Sequence, residues 1–307
     1  MHEIIEVGAR SRLLDLATNG LENNTRRAYS RHLNSFFSWA QTGGLAFDRA
    51  AVQAYKQHLM DQDYAPSTIN QALTAVRRLA EEATYLGVDP IIMSGITGVK
   101  NVKAGGRRMG HWLSKDQVKH LFSLTERETL KGHQERVILA LLVGCALRRE
   151  EAAKITFEQI QKREDVFLIV DLVGKRNKTR SVPLSPWVAK IIWNWQAAAD
   201  IYSGLLLRAI NKADRLSGRI NTKGGGKTSG GLSPKAIYKT IMRLGELAGI
   251  QGLGPHSLRR TWARRAYKQD YPLDQIQAIL GHQSIRTTEL YIGLKGLDLE
   301  SPVYVTY

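Results

Sequence analysis

Val166-Phe167-Leu168-Ile169-Val170-Asp171-Leu172-Val173, followed by Gly174-Lys175-Arg176-Asn177-Lys178-Thr179 and then Arg180-Ser181-Val182-Pro183-Leu184, is the stretch that decides the fold class. A run rich in β-branched residues, a turn of glycine and basic residues, and a second short run make a hairpin. Around it, apolar residues recur at helical spacing. The expectation is a mainly α chain, α+β in class, with a small sheet in its second part.

Upstream of the hairpin, Leu113-Ser114-Lys115-Asp116-Gln117 reads as a helix cap. Residues 137–147, an apolar run of 11, read as a buried helix. Downstream, Val188, Ile191, Ile192 and Trp195 share one helical face; residues 218–231 form a glycine-rich loop; further helices start near Ser233-Pro234 and run past Arg259. The first hundred residues carry no competing strand pattern. Tyr29, Leu33, Phe36, Phe37 and Ala40 follow Asn24-Thr25-Arg26-Arg27-Ala28 at helical spacing. Pro66-Ser67-Thr68 signals another start with Ser67 as N-cap, and Ile69, Leu73, Val76 and Leu79 then share a face. A small helical bundle with aromatic residues in its core is expected. No internal repeat is visible.

The chain has 307 residues and a net charge of +16, and its 43% apolar content excludes a disordered chain. An apolar run of 11 falls short of the about 20 residues that a membrane span needs. The N-terminus lacks the basic start of a secretion signal, and the single Cys145 cannot form an internal disulfide or a thiolate metal site. A soluble intracellular protein with a polyanionic partner is expected. Residues 1–100 hold 10 basic and 10 acidic side chains; residues 101–307 hold 34 and 18 and so carry the whole excess. Such asymmetry points to nucleic acid, bound through phosphates with strong salt dependence. Residues 101–110 join the two parts as a basic, glycine-rich linker, where Arg107 and Arg108 are placed to add phosphate contacts. In the neutral first part Arg26, Arg27, Arg31, Arg77 and Arg78 lie off the apolar stripes and are expected to face phosphates.

Two tempting motifs fail. Gly224-Gly225-Gly226-Lys227-Thr228 resembles the end of a phosphate-binding P-loop, but Asn221 stands where that motif needs glycine and no buried strand precedes it. The eight histidines include no pair at i, i+4 and no carboxylate cluster, so neither a metal nor a nucleotide cofactor is expected.

Three segments of the basic part carry the chemistry: Leu147-Arg148-Arg149-Glu150-Glu151, Gly254-Pro255-His256-Ser257-Leu258-Arg259-Arg260, and Leu280-Gly281-His282, with Tyr291 nine residues later. Each alone is weak; their order, with a basic hairpin between the first two, is specific. The sequence resembles the tyrosine recombinases, the phage integrase family. Arg148 and Glu151 match its first arginine box, His256 and Arg259 its HxLR box, Leu280-Gly281-His282 and Tyr291 its LGH…Y box, and Lys175 its hairpin lysine. Asn24 to Tyr29 and Pro66-Ser67-Thr68-Ile69-Asn70 look like its helical core-binding domain, so the likeness extends over most of the chain.

The resemblance implies domains at residues 1–100 and 111–307 and a DNA-cutting and rejoining activity through a 3′-phosphotyrosyl intermediate. Tyr291 would be the nucleophile and Lys175 the acid for the leaving 5′ oxygen. Arg148 and Arg259 would clamp the phosphoryl oxygens with bidentate forks, His282 would donate to the same phosphate, His256 would assist the tyrosine's proton, and Glu151 would support the site. It also implies duplex DNA with specific sites as partner, a tetramer on paired sites, room for accessory proteins, no membrane, and a prokaryotic cytoplasm with nucleoid DNA as setting.

Simpler readings stand beside these. Glu151 also reads as a helix ion pair, Cys145 as a buried hydrophobe, Lys178 and Arg180 as phosphate contacts, and Arg149, Arg260, Arg264 and Arg265 as DNA-facing or surface charge. Ala146 and Arg176 stand where relatives carry glycine, so a different local turn is expected at each. The tail at residues 302–307 has strand character and is expected to dock on a neighbouring protomer, with packing back on its own chain as the alternative. A type IB topoisomerase-like relaxing enzyme and a catalytically silent DNA-binding regulator are the alternative functions.

Overall fold

The computed structural model describes residues 7–103, 111–174, 178–217, 220–221, 227–228 and 230–293. The chain divides into two compact units, Met1–Arg107 and Arg108–Tyr307.

The first unit is helical: α1 Val7–Thr18, α2 Asn23–Thr42, α3 Arg49–Asp61, α4 Pro66–Tyr85 and α5 Pro90–Thr97. Its core holds Leu33, Phe36, Ile69, Leu73, Val76 and Leu79 from the apolar stripes read in the sequence, together with Tyr55. The aromatics pack there edge to face, Phe36 on Tyr55 at 5.1 Å between ring centroids. Asp48 and Asp89 cap α3 and α5 by accepting from Ala51 N and Ile91 N, each at 2.8 Å. Ser67 does not cap α4. Ala65 occupies that position and Pro66 opens the helix, its fixed φ suiting the first turn. Asn70 exchanges two hydrogen bonds with Val102, at 3.0 and 2.8 Å, which ties the end of the unit to α4.

The second unit begins with α6 Lys115–Ser123, capped by Ser114 and Gln117 as expected. Next come α7 Leu130–Leu139 and the four-residue α8 Arg149–Ala152. The apolar run between them is not one α-helix. It widens into a π turn at Ala140–Gly144, and Gly144 at its end lies against Trp187 and Val188, where a Cβ would sit 2.7 Å from either side chain. The chain reverses at Ala146, whose φ of +51° is the left-handed conformation that glycine adopts freely. Alanine therefore makes the glycine-type turn rather than a different one.

The hairpin forms with one more strand than expected. β1 Ile160–Arg163, β2 Val166–Val173 and β3 Thr179–Leu184 make an antiparallel sheet in that order. β3 is an edge strand, which accommodates Pro183. A bulge between Ile169 and Leu172 inserts one extra residue into β2, with Asp171 at φ +52°. Gly174 N donates to Lys178 O at 2.7 Å at the base of the turn. After α9 Pro186–Ala199 a two-stranded pair, β4 Ile220–Asn221 and β5 Lys227–Thr228, falls in the glycine-rich stretch. α10 Pro234–Leu247, α11 Pro255–Lys268, α12 Leu273–Leu280 and α13 Ile285–Ile292 complete the unit. Its core gathers α7, the π turn, β2, β3, α9 and α10 around the buried Trp195, whose Nε1 donates to Leu206 O at 2.9 Å.

Candidate active site

Arg148 directly precedes α8, and Glu151 is the third residue of that helix. A carboxylate there can reach back to the N–H groups at the helix start. Arg148 N donates to Glu151 Oε2 and Arg148 Nη1 to Glu151 Oε1, both at 2.8 Å. Arg180, from β3, adds a fork: Nη1 to Oε1 and Nη2 to Oε2, both at 2.9 Å. Burial alone would raise the Glu151 pKa, but the bonds from Arg180 and Arg148 outweigh it and hold it at about 2. Glu151 is thus a fixed negative charge holding two arginines.

Arg259 projects from α11 and is only 1% exposed. Its Nη1 donates to Ala146 O and its Nη2 to Leu280 O. Burial, then the nearby Arg148, lower its pKa to about 10, which leaves it protonated at neutral pH. Arg148 Nη2 reaches the next carbonyl along, Gly281 O, at 3.2 Å. The left-handed residues Ala146 and Gly281 therefore lie at turns whose carbonyls receive the two arginines.

Each residue of Leu280-Gly281-His282 has a physical task. Leu280 is buried and supplies a carbonyl to Arg259. Gly281 ends α12 at φ +60°, against the Arg180 side chain. His282 Nδ1 lies 3.1 Å from Oγ1 of the fully buried Thr288. Burial first, then Arg259, Arg148 and Arg180, lower the His282 pKa to about 4, so the ring is neutral at pH 7.

Tyr291 is on α13, one turn beyond Thr288. Its ring meets His282 edge-on at 5.2 Å and packs on the small cluster of Ala146, Ala263, Ala266, Ile276 and Leu280. The hydroxyl donates to the backbone oxygen of His256 at 3.2 Å. Arg260 lies over the ring, 4.8 Å from its centroid, and its Nε donates to Tyr291 O at 3.0 Å. Burial raises the phenol's pKa, while Arg259 and Arg260 oppose that rise. His256 is exposed at the start of α11, and its pKa is lowered by desolvation and by Arg259.

Arg148, Glu151, His256, Arg259, His282 and Tyr291 are thus brought together. Lys175, Arg107, Arg108, Arg176 and residues 302–307 lie outside the described residues. Lys178 is exposed beside the turn. In the first unit Arg26, Arg27 and Arg31 are exposed, with Arg26 3.6 Å from Asp15. Among the arginines expected to face phosphates or DNA, Arg77 donates to Leu73 O and Asn101 Oδ1, Arg78 to Asn19 O, Arg180 to Glu151 and Ile279 O, Arg260 to Tyr291 O, and the buried Arg264 to Ile292 O. Arg180 lies on the inward face of β3 with Val182 and Leu184, and the period-two alternation of that strand is the signal that could have found it. Thr288 was missed altogether; its helical spacing to Ile292 is the signal that puts it on the buried face of α13. Among the described residues no helix is long and apolar enough to cross a membrane.

The family models agree with this geometry. Residues 14–85 match the phage integrase N-terminal SAM-like domain. The tyrosine recombinase XerD of Pseudomonas aeruginosa is 27% identical over 89% of this chain and 87% of its own length. XerD of Staphylococcus aureus is 27% identical over 89% and 88%. Among solved structures, a lambda integrase dimer bound to a core site superposes with a TM-score of 0.69, 15% identity and 95% and 96% coverage. The XerH site-specific recombinase bound to its difH substrate superposes at 0.67, with 16% identity and 92% and 90% coverage. Residues 111–295, which contain every side chain of the site, match the model of the phage integrase family, and the chain belongs to that family.

Proposed function

We propose that this chain is a site-specific DNA recombinase that cuts and rejoins duplex DNA through Tyr291. The observation that carries the reading is that Arg148 and Arg259 are anchored on neighbouring carbonyls at Ala146, Leu280 and Gly281, the same turn from which His282 meets the Tyr291 ring edge-on. In the reaction Tyr291 Oη forms a bond to the scissile phosphorus as the bond to the 5′ oxygen breaks. The phenol proton leaves toward His256, whose pKa desolvation and Arg259 hold below its ordinary value. Arg148 and Arg259 stabilise the charge that grows on the phosphoryl oxygens, an effect worth about 10²–10³-fold per donor in comparable sites. Thr288 Oγ1, 3.1 Å from His282 Nδ1, is assigned as the donor of that pair, so that the neutral ring carries its proton on Nε2 for the phosphate. Lys175 supplies the proton to the 5′ oxygen. The phosphotyrosine conserves the phosphodiester bond energy, so a 5′ hydroxyl from another strand completes the exchange without further energy input.

DNA-bound structures of XerH and lambda integrase support duplex DNA as the partner. Four protomers on two paired sites, in a prokaryotic cytoplasm, complete the proposal. A two-site assay on supercoiled DNA tests it: recombinant products are expected, while relaxation alone or binding without products would contradict it.

A further inference from the structure

We propose that Arg180 is a positioning residue of the reaction. It holds the Glu151 carboxylate and the turn at Ile279 to Gly281 in the places from which Arg148 is aimed at the scissile phosphate. This rests on the reading that Arg148 clamps that phosphate.

Three observations carry it. First, Arg180 lies on the core-facing side of β3 with Val182 and Leu184, directly after the β2 bulge that re-aims this end of the hairpin, and its side chain is 13% exposed. Second, its fork is spent on Glu151, and its Nε donates to Ile279 O at 2.9 Å. A bidentate fork faces one anion at a time, so this grip competes with a phosphate contact. Both Glu151 oxygens then hold one bond from Arg180 and one from Arg148, a fully satisfied pair of acceptors. Third, the guanidinium packs between two glycines. A Cβ on Gly281 would sit 3.3 Å from Arg180 Cδ and Nη1, and one on Gly174 3.4 Å from Nη1. Gly281 also supplies the carbonyl for Arg148 Nη2. Arg180 therefore touches both supports of Arg148 while Arg148 keeps the outward place, and it joins them to the base of the hairpin.

Single-turnover cleavage of a nicked duplex by the full chain tests this in wild type, Arg148→Ala, Arg180→Gln, Arg180→Lys and the Arg148→Ala/Arg180→Gln double variant. Arg180→Gln should slow cleavage on the order of 10²-fold, with Arg180→Lys intermediate because it keeps charge and loses the fork. The double variant should be no slower than Arg148→Ala by more than about twofold, since both act through one group. The Arg180 defect should shrink on a duplex with a neutral methylphosphonate at the scissile position, where the clamp has less charge to stabilise. The salt slope of DNA binding should stay at the wild-type value. Additive defects together with a salt slope lower by about one would overturn the proposal in favour of a phosphate contact. If Arg180→Gln unfolds, Arg180→Lys decides: a defect equal on charged and neutral scissile groups makes the role purely structural and overturns the proposal. Wild-type cleavage by Arg148→Ala would instead overturn the assignment of Arg148.

Discussion

The two units use arginine in opposite ways. In the first, Arg26, Arg27 and Arg31 stand on the outside of a helical bundle whose core is mainly apolar and aromatic. In the second, Arg259 is buried among backbone carbonyls, and Arg148 and Arg180 share a buried carboxylate. An exposed arginine is solvated at little cost and held loosely, which suits binding along a phosphate backbone. A buried one must have its partners built in advance, and that fixed geometry is what a developing charge in a transition state requires. The neutral unit and the basic unit therefore differ in how firmly these arginines are held as well as in how much charge they carry.

Removing the buried counter-charge should erase the difference most severely. Glu151→Gln leaves Arg148 and Arg180 without their carboxylate, and on the order of 3 kcal/mol of stability is expected to be lost. The pH dependence gives the sign. The Glu151 pKa is lowered from 4.5 to about 2 in the fold, so its contribution is complete above 4.5 and is lost as pH falls toward 2. Denaturant titrations across that window should show a wild-type decline that Glu151→Gln lacks; parallel curves would mean the carboxylate is not held as described.

A smaller effect is expected at Thr288. Thr288→Val keeps the shape and removes the hydroxyl beside His282 Nδ1, which frees the ring to take the other tautomer. Cleavage should slow about tenfold, with Thr288→Ser restoring most of it. Equal rates for valine and serine would show that only packing matters there. The smallest effect on chemistry belongs to the exposed arginines. Arg27→Ala with Arg31→Ala should weaken DNA binding and lower the salt slope by about two, while cleavage of already bound DNA is unchanged. A slower cleavage step would place these residues with the buried set.

Much of the site was legible in the order of its boxes, because Arg148, His256, Arg259, His282 and Tyr291 are recognised by side-chain type. What escaped the sequence was the backbone. Ala146 O, Leu280 O and Gly281 O hold the arginines, yet a carbonyl leaves no mark on residue identity. The helical bundle and the hairpin were legible from periodicity. β1 was not, since Ile-Gln-Lys-Arg offers a single apolar residue and its burial is correspondingly slight. Nor does an unbroken apolar run record where an α-helix widens into a π turn, as this one does at Ala140–Gly144.

The central claim is that Tyr291 forms a covalent bond to the 3′ phosphate. Trapping the full chain on a nicked duplex carrying an authentic site and sequencing the DNA-linked peptide by mass spectrometry tests it directly. The account predicts a phosphodinucleotide on Tyr291 and no adduct in Tyr291→Phe; an adduct on any other residue, or one that persists in that variant, would contradict it.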